Sequence, residues 1–154
     1  MELTGAEQVA NQLAAAYATN PETAKSTLDS LFAAEVDLRH LPPLASDGMV
    51  DGHRLAEGTG KEAAAITSVL VGLHHEEVTV DADRDRVHVT AWICGTLPNG
   101  KEARLFSDMW CTVSDGRIVG LEHCMDEDTM AAWIEVAVAA GMTLPEPPQD
   151  DDSP

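Results

Sequence analysis

The sequence predicts one α+β domain, and three observations carry that prediction. Apolar residues recur at helical spacing early in the chain and again near its end. From His75 to Asp126 the period changes to two. Tight-turn signals divide that run into consecutive strands. With 154 residues, 44% of them hydrophobic, the chain has the length of one domain and enough apolar mass for a core without disulfides or a structural metal.

Taken in order, Glu2 to Ala18 reads as a helix on Leu3, Ala6, Val9, Ala10, Leu13 and Tyr17, with Thr4 as N-cap. Asn20-Pro21-Glu22-Thr23 starts a second helix, Asn20 capping and Pro21 in the first turn. Its stripe is Ala24, Leu28, Leu31 and Phe32. A short strand follows from Glu35 to His40, with Val36, Leu38 and His40 alternating against Glu35, Asp37 and Arg39. Leu41 to Gly60 has no periodicity and holds Gly48, Gly52, Gly58 and Gly60, so it is expected to form a loop that gates a site. Lys61 to Leu73 is the third helix.

His75–Ala82, Arg86–Leu97, Glu102–Ser114 and Arg117–Asp126 read as an antiparallel meander. Asp128 to Met142 closes the domain as a helix, ended by Gly141. The domain spans 1–144, and the acidic, proline-rich 145–154 is expected to be a disordered tail.

Turn chemistry sets the expected registers. Asn99-Gly100 as a two-residue turn pairs Pro98 with Lys101, hence Trp92 with Ser107, Cys94 with Leu105 and Thr90 with Met109. Ser114-Asp115-Gly116 as a three-residue loop pairs Val113 with Arg117, hence Ser107 with His123, Met109 with Leu121 and Leu105 with Met125. A two-residue Asp-Gly loop would set His123 beside Asp108 instead. The preferred register makes one mostly apolar face whose polar members are Thr90, Ser107, His88, His123 and the Trp92 indole N–H. The other face carries Phe106 and Trp110 among charges, the look of a homodimer interface.

Lys and Arg number 9 and Asp and Glu 27, for a formal charge of −18. Such a body repels phosphate backbones and anionic lipid, which argues against nucleic-acid and membrane partners. No apolar run approaches a membrane span, and the acidic N-terminus does not resemble a signal peptide. Three cysteines without a CxxC suit a reducing cytoplasm. Absence of HxH or HExxH spacing leaves the histidines without a metal signature. His74-His75-Glu76-Glu77 looks ligand-like, but adjacent strand residues point to opposite faces. No Gly-rich phosphate motif follows a strand, so no nucleotide cofactor is expected.

The order helix, helix, strand, loop, helix, meander, helix resembles the nuclear-transport-factor-two-like superfamily, in its SnoaL-like and ketosteroid-isomerase-like branch. Leu31-Phe32-Ala33-Ala34-Glu35-Val36, His40-Leu41-Pro42-Pro43, Gly95-Thr96-Leu97-Pro98-Asn99-Gly100 and Val113-Ser114-Asp115-Gly116-Arg117-Ile118, with Asp126 closing the strand, carry the resemblance. It implies a cone-shaped α+β barrel, a curved antiparallel sheet wrapped around N-terminal helices. His40 stands where the steroid isomerases keep their carboxylate base. Their acid falls near Met109 and their helix-one tyrosine near Leu13. Against limonene-epoxide-hydrolase-like members, the third-strand Arg and Asp fall on Thr90 and Trp92, and the last-strand Asp falls on His123.

The expected function is cofactor-free acid/base chemistry, an isomerisation, dehydration or cyclisation, on a small apolar carbonyl compound. His40 would be the base and His123 the acid or oxyanion donor. Ser107 and Trp92 would orient the substrate, with Thr90, Met109, Leu105, Leu121 and Met125 lining its pocket. The alternatives are a pocket that only binds a hydrophobic ligand, and an assembly module with a vestigial pocket.

Overall fold

A computed structural model of the chain describes residues 2–142, so the expected tail at 145–154 lies outside the described residues. Helix α1 (Gly5–Thr19) opens with a reciprocal capping box between Thr4 and Glu7. It buries Val9 and Leu13 on one stripe. Asn20 caps α2 (Pro21–Ser30) by accepting from the Thr23 amide at 2.7 Å, and Pro21 sits in the first turn. Then come β1 (Phe32–Leu41), β2 (Gly48–Asp51), α3 (Gly52–Val69), β3 (Val71–Asp83), β4 (Arg86–Thr96), β5 (Glu102–Ser114), β6 (Arg117–Cys124) and α4 (Glu127–Ala139).

The six strands form one open, curved sheet in the order β2-β1-β6-β5-β4-β3. The meander β3 to β6 is antiparallel as expected, but the sheet as a whole is mixed. Strand β1 runs parallel to β6, and β2 adds antiparallel to the outer edge of β1. Helix α1 packs across β3, β4 and β5, α3 against β1, and α4 against β5. The main core joins α1 and α2 to Val36, Leu38, Val87, Val89, Ala91, Met109, Cys111, Ile118 and Leu121. Smaller and separate, a second cluster gathers Ile66, Leu70, Leu97, Ala103, Leu105 and Val136 under α3 and α4.

The segment 41–60 corrects an expectation. It is not a long gating loop: only residues 42–47 lack regular structure. Gly48 to Asp51 pairs with β1, and Asp51 then caps α3 by accepting from the Arg54 amide. Gly58 and Gly60 lie inside that helix despite their low propensity, because Leu55 and Ala56 pack on the core. The start of α3 is pressed hard on β1. A Cβ placed on Gly52 would lie 1.9 Å from the Ala33 carbonyl oxygen.

Both hairpins also differ from expectation. Between β4 and β5 the loop has three residues, Pro98-Asn99-Gly100, closed by Leu97 N–H to the Lys101 oxygen at 2.8 Å. Ala91 therefore pairs with Ser107, and Trp92 with Phe106. The one-residue slip turns β4 over, since side chains alternate between faces. Val87, Val89 and Ala91 point into the core, whereas Thr90 and Trp92 lie on the opposite face with Phe106, Asp108 and Trp110. Between β5 and β6 the turn is the two-residue Asp115-Gly116, with φ of 52° and 73°. An extra residue, Val119, then bulges, so His123 pairs with Met109 rather than Ser107 or Asp108. The bulge returns Leu121 and His123 to the core side.

Candidate functional site

The β1–β6 ladder creates the site. Its register pairs His40 directly with His123 and Leu38 with Leu121. Leu38 and His40 share the inward face of β1, so the two histidines emerge side by side. Their ring centroids are 5.8 Å apart and nearly perpendicular, at 77°. Both line a cavity of about 570 Å³ closed by residues 41–46, α3, α4 and β6. Its walls are mostly apolar: Leu38, Leu41, Leu44, Leu55, Ile66, Leu121, Met125, Met130 and Trp133 contribute. A concave apolar chamber of this size with a few convergent polar groups is the usual form of a small-molecule site.

His40 is held from behind. Its Nδ1 lies 2.6 Å from Asp47 Oδ1, while Asp47 Oδ2 accepts from the His40 amide at 3.0 Å and the Leu44 amide at 3.2 Å. Burial alone would raise the Asp47 carboxyl, but the His40 ring and these two amides override it and hold it below the ordinary carboxylate range. With Nδ1–H given to Asp47, Nε2 of His40 is left as the ring's basic nitrogen. His123 has no charged partner of that kind. Desolvation lowers its pKa to about 4, with the nearby His40 and Lys25 pushing the same way and Asp108 opposing. Part of its surface faces the cavity, yet at neutral pH it is an uncharged imidazole. Glu62 stands at the rim, still exposed over much of its side; crowding raises its carboxyl, while Lys25 and His40 pull it back down. Below the rim, Thr59 donates to Leu55 O at 2.8 Å and meets Lys25, which also pairs with Asp29.

Of the residues expected at the site, His40, His123, Leu121 and Met125 line the cavity. Leu105 and Met109 do not: they are closed core, 0% and 1% exposed. Ser107 keeps the expected face of β5 but lies outside the cavity lining. Thr90 and Trp92 are on the wrong face altogether, for the register reason above. Trp92 instead packs on Phe106 and carries the Arg104 guanidinium 4.6 Å over its ring. Asp47 was not among the expected site residues; its link to His40 depends on the tight reversal at 42–47. Trp133, on α4, is a further lining residue that was not among the expected ones. Its Nε1 is buried and, among the described residues, is the side-chain polar atom left without a partner.

Comparisons with known proteins support the fold. No family model matches the chain, and no curated protein matches it. Many solved structures do. A candidate isomerase of Bacillus subtilis is 15% identical, with 87% of this chain and 97% of that one covered and a TM-score of 0.62. A candidate polyketide cyclase of Xanthomonas campestris pv. campestris is 16% identical over 85% and 99%, with a TM-score of 0.58. TerC, co-crystallised with polyporic acid, is 22% identical over 82% and 98%, with a TM-score of 0.56. Other neighbours are described as SnoaL-like and ketosteroid-isomerase-like. The chain shares the fold of these solved structures, four helices with one open, curved mixed sheet, an arrangement consistent with the cone fold. That superfold hosts many chemistries, so the activity has to be argued from the site.

Proposed function

We propose that this protein catalyses cofactor-free proton transfer, an isomerisation, dehydration or cyclisation, on a small apolar carbonyl compound held in the cavity. The observation that carries the reading is a carboxylate-oriented His40 facing an uncharged His123 inside one apolar chamber. Nε2 of His40 takes a proton from the carbon beside the carbonyl, and the C–H electron pair moves onto the oxygen as an enolate. Asp47 stabilises the imidazolium so formed. The N–H of neutral His123 donates to the enolate oxygen, and a donor aimed where charge develops is worth about 10²–10³ in rate. His40 then returns the proton to a different carbon or to the leaving oxygen. Trp133 contributes apolar wall to the same chamber. A body charge of −18 turns carboxylates and phosphates away and favours neutral substrates.

The test follows proton transfer itself. The full chain is incubated in D2O with a panel of apolar enolisable ketones, and deuterium uptake is read by mass spectrometry. Wild type should catalyse uptake on some members, and His40→Ala should lower the rate by about 100-fold or more with the fold retained by circular dichroism. Ketones that bind, by NMR shift perturbation at the cavity, without any catalysed uptake would leave a binding protein and overturn the enzyme reading.

A further inference from the structure

We propose that His74, Glu76 and Cys94 form a binding site for a zinc-class divalent cation on the face of the sheet opposite the α1 core. His74 and Glu76 are two apart on β3 and share a face, and Cys94 is the direct partner of His74 across the β3–β4 ladder. His75 between them points the other way and stacks on Tyr17 at 4.8 Å. One ligand atom from each of the three residues lies within 4.8 Å of the other two, and His74 Nε2 is 3.4 Å from Glu76 Oε2. Donors around a tetrahedral zinc with bonds of about 2.0–2.3 Å sit roughly 3.3–3.8 Å apart. Small movements of two exposed side chains toward the buried sulfur close that gap.

The backbone is shaped to present these donors. Irregularities in the β3–β4 ladder flank the group, one between Val71 and His74 and one between Glu76 and Thr79. Gly72, at φ 70°, turns its carbonyl to within 2.7 Å of His74 Nδ1. That contact requires the proton on Nδ1 and leaves the Nε2 lone pair aimed at Glu76, the arrangement found behind metal-bound histidines. An imidazole lone pair, a carboxylate and a thiol thus converge on one point of the sheet face.

Charge and softness choose the cation. One carboxylate and one thiolate balance a divalent ion, so Arg104, which pairs with Cys94 across the β4–β5 ladder and lies over Trp92, faces a neutral complex. Imidazole plus thiolate selects zinc-like ions over magnesium or calcium. Binding displaces the Cys94 thiol proton, because the thiolate is the form that ligates zinc. A water completes the fourth position. This site is independent of the cavity chemistry.

The test uses the full-length chain, stripped with a chelator and titrated with Zn²⁺ by calorimetry and with Co²⁺ by absorption. One equivalent should bind, more tightly as pH rises, with a thiolate-to-cobalt charge-transfer band that zinc abolishes. His74→Ala and Glu76→Gln, both at exposed positions, should each weaken binding by at least about 100-fold. Cys94→Ser should remove the band, whereas Cys124→Ser should retain it. No binding tighter than millimolar, or a band and affinity that survive both His74→Ala and Glu76→Gln, would overturn the site.

Discussion

His40 and His123 are the same residue type carried into opposite electrostatic settings, one leaning on a carboxylate and the other desolvated beside it. The Asp47 contact is the part of the site most sensitive to a small change. Asp47→Asn keeps the side-chain shape but cannot stabilise a charged ring, so catalysed deuterium uptake should fall by about 10–100-fold while ketone binding is retained. Loss of binding in step with rate would instead mark Asp47 as a loop anchor. His123 makes a second test in the absence of any substrate. Its pKa is 6.5 in a free chain and about 4 when folded, so between those values the unfolded chain takes a proton that the native one refuses. Stability from this group is therefore lost as pH falls from 6.5 toward 4, by at most about 3 kcal/mol. Glu62, raised, acts with the opposite sign. The difference between wild type and His123→Gln isolates the histidine: the urea midpoint of wild type should drop more between pH 7 and pH 5 than that of the variant.

The elements show how much of this was legible. Helix caps at Thr4 and Asn20 are local chemistry, and both stand where the sequence puts them. So does the inward face of β5, because Leu105, Met109 and Cys111 alternate without ambiguity. Strand β4 offered two competing signals. Alternation of Val87, Val89 and Ala91 pointed to the true core face, while the Asn99-Gly100 pair suggested a two-residue turn that turns the strand over. Burial of three apolar side chains outweighs a turn preference. The family resemblance and the alternation on β1 turn both histidines toward the pocket, but the parallel ladder that pairs them is non-local and carries no turn signal. The strand at 48–51 was obscured by Gly48 within it and Gly52 just after it. Gly52 is required, since its place against the Ala33 carbonyl has no room for a methyl group. Gly52→Ala should cost about 2–4 kcal/mol, seen as a lower urea midpoint, with the α3 end of the cavity disturbed. A variant as stable as wild type would show that α3 can lift away from β1 without penalty.

At the scale of the whole molecule, charge and one aromatic face set the behaviour. Phe106, Trp92 and Trp110 are half-buried on the outer sheet face, with His88 stacked on Trp110 at 4.1 Å and Arg86 above the same ring. The expectation from the sequence, a homodimer through Phe106 and Trp110, can be weighed against the body charge. Two copies at −18 repel, and salt shortens the reach of that repulsion to about 8 Å at physiological ionic strength. A sheet-to-sheet dimer should therefore tighten as salt rises, and Trp110→Glu should shift sedimentation to the monomer. A monomer at micromolar concentration in every salt would remove the interface.

The parallel seam between β1 and β6 has a consequence in time as well as space. Paired residues on its two strands lie more than half the chain apart in sequence, and between them the meander is built from neighbours that need no distant partner. Loop closure over such a span is the entropically expensive step. A chain emerging from the ribosome can thus pair β3, β4 and β5 before β6 exists, but it cannot bring His40 to His123 until β6 has followed them. The chamber is born finished or not at all. A copy cut short before β6 lacks the histidine pair altogether.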